Sequence, residues 1–231
     1  SNFELLEWDS DFFGFPVARL LVKSFSEYQL SQYLSHLKQK GIKLIYYQCS
    51  PDDNTSTNAA EKCNGFFASI RFIYQTKISC QMKNLPANNV NISKYKKSYP
   101  VQDLLSLAIQ SGEFSRFKLD PNFTNTQFTN LFTTWIRNSV NQTLADIVFV
   151  SRINNKITGM ITVKKKSKTG HIGLIAIDKN FRGKKIATAL ISEAKQWLIS
   201  HEIETIKVIT QKDNLPACRL YEKCGFKKVV S

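Results

Sequence analysis

The stretch His171–Thr188, HIGLIAIDKNFRGKKIAT, sets the reading of the whole chain. Ile172, Leu174, Ile175 and Ile177 form an apolar run broken only by Gly173 and Ala176, as in a strand buried on both faces. Asp178 and Asn180 end the run. Arg182-Gly183-Lys184-Lys185 follows, and Ile186, Ala187, Ala189, Leu190, Ile191 and Ala194 open a helical stripe. A strand feeding a glycine-containing loop at a helix N-terminus aims several main-chain N–H groups at one spot, where they have no partners inside the helix. The helix dipole adds partial positive charge there, and three cationic side chains deepen it. The pattern predicts an anion site suited to phosphate or pyrophosphate.

The 231 residues suffice for one large domain or two small ones. With 42% hydrophobic and 22% charged residues, the composition is that of an ordinary globular protein. No apolar run is long enough to span a bilayer, and nothing at the start reads as a secretory leader. The five cysteines (Cys49, Cys63, Cys80, Cys218, Cys224) follow no metal-ligand spacing, so no metal is expected. Their odd number favours free thiols in a reducing cytoplasm. The net charge of +14 favours anionic partners: nucleic acid, a phosphate-rich cofactor or a nucleotide-linked substrate. The cations are scattered and form no recognised nucleic-acid motif, which disfavours the first of these.

Downstream of the organising stretch, the helix from Ile186 runs to about His201 and Ile206–Gln211 is a β-branched strand. Asp213-Asn214 caps a short helix ending at Lys223-Cys224-Gly225, with Phe226–Val230 extended. Upstream, Ala145–Ile153 and Lys156–Lys165 meet at the hairpin pair Asn154-Asn155. Helices at Val101–Gln110 and Asn125–Val140 flank a loop, Ser111–Pro121. At the start, Phe3–Asp9 and Phe15–Val22 read as strands, Ser26–Lys40 as a helix and Leu44–Cys49 as a strand. A helix then ends near Asn64-Gly65, and Phe66–Ile78 reads as one or two strands. Asn84–Asn91 has no periodicity and divides the chain into domains 1–84 and 85–231.

A weak internal repeat links the two parts. Ile42–Ile45, Asp53-Asn54 and Glu61–Phe66 echo Ile206–Ile209, Asp213-Asn214 and Glu222–Phe226. Each copy follows a long amphipathic helix, but the first has no Arg-Gly-Lys-Lys loop, and Ala60 stands where the second has Tyr221. Two related halves are expected, only the second equipped for anions; chance likeness of two such units is the competing explanation.

Residues from about Lys94 onward resemble a GCN5-related N-acetyltransferase (GNAT) domain. That family's acyl-CoA loop reads Arg/Gln-x-x-Gly-x-Gly/Ala; here Arg182-Gly183-Lys184-Lys185-Ile186-Ala187 matches it at both ends, with Lys185 in place of the central glycine. Asn214-x-x-Ala217-x-x-Leu220-Tyr221-Glu222-Lys223-x-Gly225-Phe226 is similar to the family's second recurrent stretch. The resemblance implies an α/β (α+β) GNAT fold, a mixed, mostly antiparallel sheet flanked by helices, beside a smaller N-terminal α/β domain like a partial repeat. More narrowly, Trp8–Gly14, Ser115-Arg116-Phe117 and Trp135-Ile136 resemble the TDP-fucosamine acetyltransferase group, which acetylates the 4-amino group of a nucleotide-linked deoxyaminosugar.

The resemblance implies acetyl-CoA as cosubstrate. Arg182, Gly183, Lys184, Lys185, Ile186, Ala187 and Thr188 would take its pyrophosphate, with main-chain groups near Ile175 and Ile177 along its pantetheine arm. Asn214 would touch the cofactor, cap a helix, or both. Tyr221 would be the general acid, since a phenol stays protonated at neutral pH and can donate to a departing thiolate. Arg116 and Phe117 are candidates for the acceptor's diphosphate and ring; Glu113, Asp120, His171 or an ordered water are candidates for the base. The acceptor would be an amino sugar on a nucleotide, with a peptide or protein amine as the alternative and a non-catalytic CoA- or nucleic-acid-binding module as the reading from another class. The family continues into a final strand past Phe226, for which a second copy in a homodimer is one source.

Overall fold

The computed structural model describes residues 2–79 and 90–229. The chain forms two compact units, 1–68 and 69–231.

In the first unit, β1 (Phe3–Leu5), α1 (Glu7–Phe13), β2 (Val17–Leu20), α2 (Glu27–Gln39), β3 (Leu44–Tyr46) and α3 (Asn54–Lys62) build a three-stranded sheet in the order β1-β2-β3. β2 and β3 are parallel, joined through α2. Ala18, Leu20, Leu30, Leu37 and Ala59 form the core of this unit. Glu7–Phe13, which reads as strand and turn in the sequence, is helical. The Trp8 and Phe12 rings stack one turn apart at 5.3 Å, and Gly14 ends the helix at φ 74°. An aromatic run satisfies a helix as readily as a strand when its rings meet at i,i+4.

The second unit is built on a seven-stranded sheet. Its elements are β4 (Arg71–Lys77), β5 (Ile92–Lys94), α4 (Val101–Ser111), α5 (Arg116–Leu119), α6 (Asn125–Val140), β6 (Ile147–Ile153), β7 (Lys156–Lys166), β8 (Thr169–Ile177), α7 (Ile186–Ile199), β9 (Thr205–Gln211), α8 (Leu215–Lys223) and β10 (Lys227–Val229). The spatial order is β10-β4-β9-β8-β7-β6-β5. All neighbours are antiparallel except β8 and β9, which α7 joins by a crossover. Asn154 and Asn155 make the β6–β7 turn with φ of 49° and 65°, the left-handed pair a tight hairpin needs. Ile161, Val163, Leu190, Ile191, Ala194, Leu198, Ile206 and Val208 form the heart of the core.

The expected boundary after Asn84 lies outside the described residues, and the division between the units falls earlier, at Ala68/Ser69. The reason is β4. It was assigned from sequence to the first part, yet it pairs along its whole length with β9, from Arg71↔Gln211 to Lys77↔Thr205. The segment past Phe226 does form a strand, and its partner is β4 of the same chain. The two units also repeat an order of elements, β2-α2-β3-α3 in one and β8-α7-β9-α8 in the other, each with its strand pair parallel.

Candidate active site

The site grows from a divergence. β8 and β9 pair from Thr169↔Thr205 to Ile172↔Val208 and no further, although β8 continues to Ile177 and β9 to Gln211. On its other side β8 stays bound to β7, with one register shift between Ile161 and Val163. There the Leu174 N–H donates to the Thr162 hydroxyl at 2.8 Å, and four residues on the Asp178 N–H donates to the Thr158 carbonyl at 2.9 Å. Main-chain groups alternate along a strand. Leu174, Ala176 and Asp178 therefore turn theirs to β7, and Ile175 and Ile177 turn theirs to the side where β9 has moved away.

The loop after β8 is held before it reaches the helix. The Asp178 carboxylate accepts from the Asn180 N–H at 2.9 Å and pairs with Lys156 at 2.8 Å. These contacts hold its carboxyl below the ordinary carboxylate value, the Lys156 bond contributing most. Arg182 folds back, its Nε donating to the Ile177 carbonyl at 3.4 Å. Gly183 sits at φ 78° with open space around it, so backbone conformation rather than crowding calls for glycine. Lys185 takes φ 59° and ψ 13°, a left-handed backbone on a residue with a side chain. The lysine thus holds a backbone conformation that a glycine would adopt without a steric penalty. Under the loop, Gly159 of β7 leaves room for the Ile177 and Ile186 side chains, to which an added Cβ would come within 2.8 Å.

The first turn of α7 is open. α2, α3, α6 and α8 are closed by the side chains of Ser26, Asp53, Thr124 and Asn214, whereas α7 has no side-chain cap among the described residues. Its leading N–H groups stay available beside three exposed cations, Arg182, Lys184 and Lys185. The corresponding helix of the first unit, α2, is sealed by a reciprocal Ser26–Gln29 capping box. α2 thus closes its N-terminus with its own side chains, and α7 does not.

Tyr221 lies on α8, 3% exposed, in the apolar cluster against which Ile175 and Ile177 also pack. Its ring is 5.6 Å from that of Tyr74 and 5.8 Å from that of Phe226. Burial, then the neighbouring Cys218 and Cys224, push its phenol above the ordinary value of 10, so it holds its proton at neutral pH. Its hydroxyl makes no hydrogen bond among the described residues. Asn214 caps α8, its side-chain oxygen accepting from the Ala217 N–H at 3.3 Å. Ile186 is buried, which leaves its main-chain N–H as the group it can offer. Burial raises the Cys224 thiol pKa, and the Thr188 side chain is among the groups that oppose the rise.

Residues 113–226 match the acetyltransferase (GNAT) family. This segment, just under half of the chain, carries the fold of that family. The chain is 37% identical over 75 residues to a streptothricin acetyltransferase of Escherichia coli, covering 32% of this chain and 43% of that protein. It is 28% identical over 123 residues to the spore coat polysaccharide biosynthesis protein SpsD of Bacillus subtilis, covering 53% of this chain and 42% of that one. It thus spans less than half the length of either relative. A crystal structure of a GCN5-related N-acetyltransferase from Sphaerobacter thermophilus superposes with a TM-score of 0.58 at 13% identity, covering 98% of this chain and 73% of that one, which shows a shared fold.

Outside the loop and α8, the second unit redistributes the expected roles. Phe117 is 3% exposed and enclosed by Phe123 at 5.2 Å and Trp135 at 5.8 Å, so its ring is core and offers no face to a ligand. The Arg116 guanidinium rests on that ring at 4.3 Å. Asp120 is taken up by a turn, accepting from the Asn122 main chain and side chain. His171 lies in the paired part of β8, roughly 13 Å along the strand from Ile175. Burial, then Lys207 and Lys166, lower its pKa. Glu113 is exposed in the turn after α4.

Three residues near the site were not singled out from sequence. Thr162 braces the register shift, and Tyr74 brings a ring to Tyr221 from a strand assigned elsewhere. Lys195 does carry a local signal: it falls at helical spacing inside the stripe Ile191–Leu198.

No helix among the described residues is long and apolar enough to cross a membrane. No group of three or more His, Cys, Asp or Glu among them could hold a metal ion.

Proposed function

We propose that this chain is an acetyl-CoA-dependent N-acetyltransferase whose acceptor is the primary amine of a nucleotide-linked amino sugar. The observation that carries the cosubstrate is the convergence of an uncapped helix N-terminus, three exposed cations and an unpaired strand edge. Coenzyme A combines a diphosphate with a chain of amides, and these features offer one partner to each. The diphosphate takes the α7 amides, with Arg182, Lys184 and Lys185 as counter-charges. The pantetheine amides extend β8 at Ile175 and Ile177, as an added strand would.

The acceptor amine attacks the thioester carbonyl in its neutral form. A main-chain N–H of the β8 edge donates to the oxyanion of the tetrahedral adduct. The adduct collapses to an amide, and the departing sulfur takes a proton from Tyr221. The nitrogen's surplus proton goes to water, and the phenolate regains its own from solvent. No covalent enzyme intermediate forms.

The sugar reading is supported by the likeness of Trp8–Gly14 and Ser115–Phe117 to the TDP-fucosamine acetyltransferase group, and by a relative named for polysaccharide biosynthesis. A mass-spectrometric screen with acetyl-CoA against TDP-4-amino-4,6-dideoxygalactose, other nucleotide amino sugars, peptides and polyamines tests it. The expected product is a nucleotide sugar heavier by one acetyl group. Acetylation of peptide amines alone replaces the acceptor assignment, and coenzyme A binding without turnover of any amine replaces the enzyme reading.

A further inference from the structure

We propose that Lys195 is a positioning residue for Tyr221, an inference that rests on Tyr221 as the proton donor. Lys195 belongs to α7 but is 5% exposed, its ammonium directed into the turn that follows α8. There its Nζ donates to the Cys224 carbonyl at 2.6 Å and stands 4.9 Å over the Phe226 ring. Both partners are tied to Tyr221. Its carbonyl accepts from the Cys224 N–H and the Phe226 N–H, each at 3.0 Å, and the Phe226 ring packs on its own. One buried cation therefore grips the turn at two points, and the turn fixes the helix end that carries the phenol.

A buried ammonium is a costly way to fill space. Burial pushes the Lys195 pKa down, and the Cys224 thiol, the titratable group facing it, opposes that fall. The neighbours Ile191, Ala194 and Leu198 show that an apolar side chain would suit the stripe. What the ammonium adds is a directed bond to an orphan carbonyl, with a charge matched to the negative end of the α8 dipole. That contact helps set where the Tyr221 hydroxyl stands relative to the open edge of β8.

The test uses the full chain with Lys195→Met and Lys195→Gln, each alone and combined with Tyr221→Phe. Thiol release from acetyl-CoA is followed with TDP-4-amino-4,6-dideoxygalactose, and the tyrosines are observed by NMR with 13C at Cζ. Lys195→Met is expected to lower kcat about tenfold or more, with KM for acetyl-CoA within about twofold, and to shift the Tyr221 resonance. In the Tyr221→Phe background the same change is expected to cost less than about twofold, because the group it positions is gone. An equal factor in both backgrounds, or a Tyr221 resonance unmoved in folded Lys195→Met and Lys195→Gln, overturns the proposal. Full activity of Tyr221→Phe overturns instead the reading it rests on. The NMR comparison needs no acceptor and decides the matter where this amine is not turned over.

Discussion

Leu174 gives its main-chain N–H to the Thr162 hydroxyl at 2.8 Å, where β7 and β8 slip out of register. A side chain thus replaces the carbonyl that a regular ladder would supply. Thr162 is 2% exposed, so the bond has no water to replace it. We expect Thr162→Val, nearly isosteric, to cost about 1–3 kcal/mol in urea unfolding, the penalty of a stranded buried donor. The variant should also bind acetyl-CoA more weakly by calorimetry, because the shift sets the edge presented by Ile175 and Ile177. Unchanged binding would detach the register shift from the site.

Lys185 separates conformation from charge. A side chain in the left-handed region costs roughly 1–2 kcal/mol, and glycine recovers part of that against its greater freedom when unfolded. Lys185→Gly should leave stability unchanged or raise it by up to about 1 kcal/mol, while binding of coenzyme A weakens with the lost cation. Lys185→Val should lose on both counts. Urea denaturation and calorimetry, run in parallel, resolve the two effects.

Acid should reach the loop through Asp178. Its native carboxyl titrates below the ordinary 3.8, held down first by Lys156 and then by the Asn180 N–H. The ionised form is therefore favoured on folding, and its contribution is complete above 3.8 and fades as pH falls through the lower native value. Asp178→Asn keeps an oxygen for the Asn180 N–H but loses the charge. Its urea midpoint should lie below that of the parent at pH 7, and the gap should close as pH drops under 3.8. A gap that is constant with pH would remove the ion pair from the account.

Tyr221→Phe keeps the ring among Tyr74, Phe226 and the apolar core. Its hydroxyl has no protein partner among the described residues, so stability should change by less than about 1 kcal/mol. Turnover should fall by about 10²-fold or more if the phenol delivers the proton, with acetyl-CoA affinity unaltered. Stopped turnover and calorimetric affinity, measured on one preparation, check both halves.

Local features were legible where they decide structure by themselves. The spacing in Ser26–Lys40 and Asn125–Val140 gave two of the long helices, and Asn154-Asn155 gave the hairpin. Glu7–Phe13 was misread because its aromatic run has no single period. β4 was recognised as extended and placed in the wrong half, since no pattern within Arg71–Lys77 names its partner 130 or so residues away. The loop and Tyr221 stand out through their likeness to the two recurrent stretches of the family. Phe117 reads as a ligand contact and is core, because an aromatic ring that fills a core and one that meets a ligand look the same in sequence.

The early position of β4 in the chain shapes how the protein comes into being. During synthesis this strand emerges well before β9 and β10, so its two edges wait unpaired while about 130 residues are added. The sheet can close around β4 only after β9 and β10 have been made, and until then both edges of β4 are open to wrong pairing. The family-matched residues 113–226 taken alone lack β4, β5 and β10, so the outer edge of β9 is left without its partner, and only a chain started ahead of Arg71 returns β4 to it.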